Sequence, residues 1–167
     1  AICDHSKSAT IANGLSIVGN AARAKTPLVV TAGQQDTRLL LAEPILAGDM
    51  VRMTEGLTKW SYEVRRADDA VVALRRALKV AQTPPTGPVF LSLPMDLVGH
   101  PTDEQEPAPP SIPARAAPDA AALGQAGERL VRARAPLIIA GDGVARAGAV
   151  DELVALAELL GAPVHGE

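Results

Sequence analysis

Residues 88–93 read Pro-Val-Phe-Leu-Ser-Leu, a short apolar run that closes at Pro94. The run lacks alternation of polar and apolar residues and is rich in large apolar side chains, which is typical of a strand buried on both faces of a parallel sheet. Residues 27–31 (Pro-Leu-Val-Val-Thr) and 136–140 (Pro-Leu-Ile-Ile-Ala) repeat the pattern. Proline has no backbone N–H, so it suits the first position of a strand. We therefore predict three buried strands.

Helical patterns lie between these runs. In residues 68–82, Val71, Leu74, Leu78 and Ala81 recur at helical spacing and predict an apolar face. Further helices are predicted at residues 9–24, 37–47, 119–133 and 147–160, the last ending at Gly161. Alternating strands and helices indicate an α/β fold, in which right-handed βαβ units build parallel sheets flanked by helices.

Proline density separates two parts of the chain. Half of the 14 prolines lie between residues 94 and 118, where neither a helix nor a central strand tolerates them. We predict one domain in residues 1–97, a linker in residues 98–117 and the start of a second domain in residues 118–167. Each part is short for an α/β domain, so we expect a fragment with two incomplete Rossmann-like domains.

Composition narrows the classes of function. Hydrophobic residues make up 47% and aromatic residues only 2%, so the core must be built from Ala, Val, Leu and Ile. The net charge of -3 and the scattered basic residues favour neither nucleic acid nor an anionic membrane as a partner. No apolar stretch reaches the ~20 residues that span a bilayer. The single Cys3 cannot form an internal disulfide. We expect a soluble, cytoplasmic protein.

The tripeptide Gly141-Asp142-Gly143 follows the third predicted strand and has three interpretations. Small residues suit a tight strand-to-helix turn, which is the interpretation we favour. Thiamine-diphosphate enzymes bind magnesium through Gly-Asp-Gly, but an Asn pair lies farther on in them, and no Asn follows Gly143 here. A dinucleotide-binding G-x-G-x-x-G has a third glycine where this chain has Arg146. Titration with NAD and FAD tests the last possibility.

Polar residues follow the first predicted strand. Gln34, Gln35 and Asp36 stand at its carboxyl end, where open α/β sheets bind their ligands. The alternative is a polar helix start with Asp36 as its N-cap. Residues 59–62, Lys-Trp-Ser-Tyr, contain two of the three aromatic side chains, and we predict that they pack in a core or subunit interface.

Three segments together resemble a known superfamily. They are Thr31-Ala-Gly-Gln-Gln35, Lys59-Trp-Ser-Tyr-Glu63, and residues 87–94 followed by Asp96. In this order they resemble the thiamine-diphosphate-dependent decarboxylases and acetolactate synthases, and the first two segments look most like the benzoylformate decarboxylase branch. The resemblance implies that residues 1–97 are the second half of the pyrimidine-binding domain. Residues 118–167 would then begin the central domain.

The resemblance also implies site residues. His5-Ser6 and Asn13 look like the active-site His-Ser pair and Asn of benzoylformate decarboxylases. One extra residue separates them here, and residues 7–12 replace a glycine-rich turn. On this basis His5 is the candidate catalytic residue, for proton transfer. Asn13, Gln34 and Gln35 are the candidate cofactor-binding residues, the two glutamines in a positioning role.

The implied activity is decarboxylation of a 2-oxo acid, or a related carboligation. The implied cofactors are thiamine diphosphate and Mg²⁺, and the implied assembly is a homodimer or homotetramer. Two alternatives stay open at this point. One is an acetolactate synthase-like enzyme, and the other is a non-catalytic α/β binding or regulatory module, which the altered residues 7–12 favour.

The first prediction concerns the chain alone. The resemblance implies that the catalytic glutamate of the family lies before Ala1 and its metal and diphosphate motif beyond Glu167. We therefore expect the purified 167-residue chain to be inactive towards 2-oxo acids in the presence of thiamine diphosphate and Mg²⁺. Release of carbon dioxide by this chain above a heat-denatured control would refute the assignment of the missing residues.

Overall fold

The computed structural model describes residues 10–101 and 117–167, with side chains described from residue 16 onward. The chain divides into two compact units, Ala1–Ile112 and Pro113–Glu167. Each unit contains a parallel sheet with helices beside it, so the predicted α/β fold is confirmed. No helix in the described residues is both long and apolar enough to cross a membrane.

The first unit contains a three-stranded parallel sheet in the order β1-β3-β2. Its strands are β1 (Leu28–Gln34), β2 (Ser61–Glu63) and β3 (Pro88–Pro94). Its helices are α1 (Thr10–Arg23), α2 (Met50–Thr54), α3 (Asp69–Gln82) and α4 (Met95–Val98), with a 3₁₀ turn at Leu40–Ala42. Because both neighbours run parallel to β3, all three strands end at the same edge of the sheet.

The core of this unit lies between β3 and α3. Val89 and Leu91 of β3 are fully buried, and Val64, directly after β2, joins them. Helix α3 contributes alanines at positions 73, 77 and 81, which lie on one face because residues four apart are neighbours on a helix. Small side chains on this face let the helix approach the sheet closely.

Two predictions about burial in the first unit need correction. Strand β3 is buried on both faces as predicted, but β1 is only half-buried along most of its length. In the described part of the chain, β1 has β3 as a neighbour on one side only. On α3, Ala81 is buried as predicted, but Leu74 is 41% exposed while Ala73 and Ala77 are buried. A periodic pattern weights hydrophobicity over size and so assigns the larger side chain to the core.

The predicted helix at residues 37–47 is wrong. This segment contains only the short 3₁₀ turn, followed by an irregular loop. Pro44 cannot donate a helical hydrogen bond. Glu43 and Leu46 have positive φ values of 46° and 74°, which leave the right-handed helical region. The segment therefore forms a loop at the carboxyl edge of the sheet.

The second unit alternates helices and short strands. Its elements are α5 (Ala120–Arg132), β4 (Ile138–Ala140), α6 (Asp142–Arg146), α7 (Val150–Leu160) and β5 (Val164–Gly166). Strands β4 and β5 pair in parallel. Ile139 of β4 is 70% exposed in the described part of the chain, so the prediction that residues 136–140 form a strand buried on both faces is wrong. Gly161 ends α7 with a φ of 60°, the left-handed conformation that its position predicted.

The Gly141-Asp142-Gly143 tripeptide lies at the start of α6. Gly141 is the single residue between β4 and α6, so the tripeptide lies at a tight strand-to-helix turn as interpreted, although the φ of −88° at Gly141 does not require glycine. Asp142 lies in the first helical turn and forms an ion pair with Arg146, with 3.0 Å between Oδ2 and the guanidinium nitrogen. The acidic side chain therefore has a local partner one turn along the helix.

Core packing in the first unit generates a stability prediction. Leu91→Ala should lower the free energy of unfolding by about 2–5 kcal/mol, because it leaves a cavity at a site that is 1% exposed. Urea unfolding followed by the fluorescence of Trp60, which packs against this core, measures the change. Leu41→Ala, at a residue that is 98% exposed, is the matched control and should change stability by less than about 0.5 kcal/mol. Equal losses in the two variants would contradict the assigned core.

Candidate functional site

The candidate site lies at the carboxyl edge of the three-stranded sheet, the edge where open parallel sheets bind ligands. Gln34 is the last residue of β1, and Glu63 is the last residue of β2. Ser92 of β3 stands opposite Glu63 in the parallel register. The ends of all three strands therefore carry polar side chains that the sheet brings to one place.

These side chains form a partly buried hydrogen-bonded network. Gln34 Nε2 donates to Gly48 O at 2.7 Å and to Glu63 Oε2 at 3.1 Å. Ser92 Oγ donates to the same carboxylate oxygen at 2.8 Å. Gln34 Oε1 accepts from the backbone N–H of Gln35 at 3.0 Å. Gln34 is 5% exposed and Ser92 is 0% exposed, whereas Glu63 is half-buried and borders the cleft described next.

The orientation of the Gln34 amide follows from its neighbours. Both of its N–H groups are used, one by a carbonyl oxygen and one by a carboxylate oxygen. Turning the amide over would place Oε1 against these two acceptors and Nε2 against the N–H of Gln35. Leaving a buried polar group without a partner costs about 1–3 kcal/mol, so a single orientation is strongly preferred.

A cleft of about 840 Å³ opens beside this network. Gln34, Tyr62 and Glu63 line the sheet side, and residues 43–49 line the opposite rim. Among the lining residues, the charged side chains are Glu43, Asp49, Glu63 and Arg65. Three carboxylates and one guanidinium give the cleft a negative balance. It can therefore hold a ligand that is neutral or carries hydrogen-bond donors.

The rim of the cleft carries apolar side chains and has an unusual backbone conformation. Ile45 is 86% exposed and Leu46 is 70% exposed, although both have large hydrophobic side chains. Leu46 also has a φ of 74°, which a bulky residue adopts only when its surroundings hold it there. The loop formed by residues 43–49, called here the rim loop, thus presents apolar side chains in a constrained conformation.

A second set of polar contacts joins the end of β1 to the start of α4. Thr37 donates its backbone N–H to Asp96 Oδ1 at 3.0 Å and its hydroxyl to Asp96 Oδ2 at 2.5 Å. These bonds lower the pKa of Asp96. Asp36 accepts from the backbone N–H of Arg38 at 2.9 Å and pairs with its guanidinium. Asp36 therefore closes a turn and caps no helix, which corrects the N-cap alternative.

The Lys59–Glu63 segment divides between packing and the site. Lys59 donates to the backbone oxygens of Val80 and Thr83 at the end of α3, and burial lowers the pKa of its ammonium group. Trp60 and Tyr62 stack with ring centroids 5.6 Å apart, and Arg76 lies 5.0 Å above the Trp60 ring. Both rings pack against the core, in line with the prediction. Glu63 alone enters the network.

The structure describes some of the predicted site residues and leaves others outside its described part. His5 lies outside the described residues. Asn13 lies in α1, but its side chain is outside the described part. Gln34 lines the cleft, whereas Gln35 is half-buried and is not among the lining residues, although its backbone N–H bonds to Gln34 Oε1. No group of three or more His, Cys, Asp or Glu side chains suited to a metal ion occurs in residues 10–101 and 117–167.

Sequence reasoning missed Glu63, Ser92 and the rim loop. Strand β2 has only three residues, too few to show a period-2 pattern. Ser92 reads as a small residue inside an apolar run. Glu63 lies at the same edge of the sheet as Gln34 but is 29 residues away from it in the sequence. A signal was nevertheless present, since Glu63 closes one of the segments that carry the family resemblance.

Comparison with known proteins agrees with this fold. A sequence profile of the thiamine pyrophosphate enzyme central domain matches residues 123–166. Benzoylformate decarboxylase from Pseudomonas aeruginosa is 38% identical over 160 residues, which cover 90% of this chain and 29% of that protein. An acetolactate synthase large subunit from Corynebacterium glutamicum is 31% identical over 141 residues, covering 83% of this chain and 22% of that protein.

A solved structure extends the similarity to three dimensions. Benzoylformate decarboxylase from Polynucleobacter necessarius matches with a TM-score of 0.85 and 37% identity, over 95% of this chain and 30% of that chain. The chain thus spans less than a third of the length of these relatives. It is related by sequence and structure to the thiamine-diphosphate-dependent enzymes, and the predicted resemblance is confirmed. Within that superfamily, it is similar to benzoylformate decarboxylase.

The Asp36–Arg38 pair generates a pH prediction. Hydrogen bonds from Arg38 lower the pKa of Asp36 to about 2. A lowered folded-state pKa stabilises the turn above the unfolded value of about 3.9, and this contribution is lost as the pH falls towards about 2. Arg38→Ala should raise the Asp36 midpoint towards about 3.9, only part of the way because the backbone N–H still donates.

A carboxyl ¹³C NMR titration measures this midpoint. Arg66→Ala, which removes an exposed guanidinium from near Asp68, is the control and should leave Asp36 unchanged. A midpoint of about 2 for Asp36 in the Arg38→Ala variant would contradict the stated cause.

Proposed function

We propose that this chain forms part of a thiamine-diphosphate-dependent enzyme that decarboxylates 2-oxo acids, as benzoylformate decarboxylase does. The observation that carries the proposal is the meeting of the three segments that resemble this superfamily. Gln34 from the first, Glu63 from the second and Ser92 from the third share one hydrogen-bonded network beside the cleft. Residues far apart in the chain thus converge at the ligand-binding edge of the sheet.

The donor and acceptor groups of the cleft suit the aminopyrimidine end of thiamine diphosphate. Its carboxylates repel a diphosphate but accept hydrogen bonds from an uncharged aminopyrimidine. Gln34 and Glu63 would line that ring, with Gln35 beside them. The cofactor supplies, when bound, the carbon nucleophile and the electron sink for decarboxylation. We assign Mg²⁺ to the diphosphate end of the cofactor. None of its ligands is assigned to the described residues of this chain.

The remaining assignments extend the same proposal. His5 would move a proton and Asn13 would contact the cofactor, while Gln34 and Gln35 would position it. Residues 1–97 would be part of the pyrimidine-binding domain and residues 98–117 the linker. Residues 118–167 would begin the central domain, which the profile match to residues 123–166 supports.

The exposed apolar side chains of the rim loop favour one substrate class. Ile45 and Leu46 at the rim favour a 2-oxo acid with an aryl or branched side chain, which would cover them on binding. The resemblance to the thiamine-diphosphate-dependent enzymes supports a homodimer or homotetramer as the assembly, and we propose it on that basis. We place the protein in the cytoplasm, with neither nucleic acid nor a membrane as partner.

Acetolactate synthase-like carboligation is the second candidate. The relative from Corynebacterium glutamicum supports it at 31% identity, against 38% for the benzoylformate decarboxylase from Pseudomonas aeruginosa. A third candidate, a binding or regulatory module without catalysis, rests on the altered residues 7–12.

The test uses the complete product of the gene, because the chain spans 29% of its decarboxylase relative. We expect carbon dioxide release from benzoylformate that requires both thiamine diphosphate and Mg²⁺. Reactions without cofactor or with EDTA are the controls. His5→Ala should lower the rate by roughly 10²–10⁴-fold if His5 transfers a proton.

The same assay separates the alternatives. Formation of acetolactate from pyruvate, without turnover of benzoylformate, would favour the synthase. Binding of thiamine diphosphate without turnover of any 2-oxo acid would favour the module and contradict the proposed enzyme.

A further inference from the structure

Glu63 has no role in the function proposed above beyond lining the cleft, yet it is the acceptor at the centre of the partly buried network. We infer that Glu63 is a positioning residue that acts through Gln34 to hold the rim loop, residues 43–49, in its ligand-binding conformation. This inference rests on the proposed function for its catalytic readout. Its structural readout, the mobility of the rim loop, is independent of any activity.

Gln34 joins the rim loop to the sheet. Its amide nitrogen bonds to Gly48 O at 2.7 Å, and Gly48 belongs to the loop. The other hydrogen bonds described for this loop are local, such as Ala47 N–H to Pro44 O at 2.9 Å and Arg52 N–H to Asp49 Oδ1 at 3.0 Å. Local bonds shape the turns of the loop but do not tie it to the strands.

Glu63 determines where the Gln34 amide points. The N–H that is not bonded to Gly48 is accepted by Glu63 Oε2 at 3.1 Å. Ser92 Oγ holds this same oxygen from β3 at 2.8 Å, and Ser92 is completely buried. The carboxylate is thus attached to the centre of the sheet. Its loss would leave a buried N–H of Gln34 without a partner and free the amide to turn.

The rim loop depends on the support of this hydrogen bond from Gln34. Glu43 and Leu46 hold left-handed backbone conformations, which non-glycine residues keep only where the surrounding structure enforces them. Both residues line the cleft, as does Gly48 between them and the next helix. If the Gln34 bond is lost, the loop relaxes and the apolar rim moves away from the bound substrate. The defect should therefore appear in substrate binding more than in the chemical step.

The experiment compares variants of the complete gene product. Glu63→Ala should raise the KM for benzoylformate roughly tenfold, with a smaller change in kcat. Glu63→Gln, whose amide oxygen still accepts hydrogen bonds, should recover most of this loss. Glu158→Ala removes an exposed carboxylate from α7 and is the matched control, with wild-type behaviour expected. If Glu63→Ala fails to fold, Glu63→Asp replaces it, because it keeps the charge but shortens the reach.

Hydrogen–deuterium exchange provides the readout that does not require activity. Glu63→Ala should increase amide exchange in residues 43–49 by roughly tenfold, while exchange in β3 stays as in the wild type. A double-mutant cycle tests whether the effect of Glu63 on the rim loop passes through Gln34. If Glu63 acts through Gln34, the Gln34→Ala/Glu63→Ala variant should be no worse than Gln34→Ala alone.

Three results would overturn the inference. The first is a Glu63→Ala variant that matches Glu158→Ala in both KM and loop exchange. The second is additive effects in the cycle, which would mean that Glu63 acts independently of Gln34. The third is a uniform rise in exchange throughout the first unit without a change in KM, which would assign Glu63 a general structural role. Absence of turnover in the wild type would refute the proposed function, and the exchange data would still decide this inference.

Discussion

Strand β3 is the element on which the first unit depends, because it pairs with β1 on one edge and β2 on the other while its side chains are buried. Parallel pairing places Gln34 opposite Pro94 and Glu63 opposite Ser92, so the strand ends lie within two residues of one another in the register. The alanine face of α3 covers one side of the sheet closely. A rigid, apolar platform thereby carries polar side chains at its carboxyl edge, which is the arrangement that α/β proteins use to hold ligands.

Burying the polar groups at this edge costs free energy unless they form hydrogen bonds. A buried amide or carboxylate stabilises the fold only when all its hydrogen-bond partners are correctly placed. Gln34 satisfies this condition by joining a strand, a neighbouring carboxylate and an irregular loop. The same bonds that prevent an unsatisfied polar group therefore also shape the cleft. Stability and site geometry depend on one set of contacts here, so a change in one of its members affects both.

The segments that resemble thiamine-diphosphate enzymes have mixed roles within this structure. Lys59 holds the end of α3, and Trp60 stacks on Tyr62 against the core, so these residues maintain the scaffold. Gln34 and Glu63 face the cleft. A sequence segment typical of a family thus combines residues that build the platform with residues that face the ligand, and only contacts in space separate the two groups.

Sequence patterns alone indicate the parallel α/β class, the buried strand β3, most of the helices and the family resemblance. These features follow from local periodicity, from proline and glycine positions and from short ordered segments, all of which can be read along the chain. Tertiary contacts were needed to show that residues 37–47 form a loop, that Ala73 and Ala77 face the core, and that Gln34 meets Glu63. The contact between Gln34 and Glu63 joins residues 29 positions apart, and it depends on strand pairing, which local patterns do not encode.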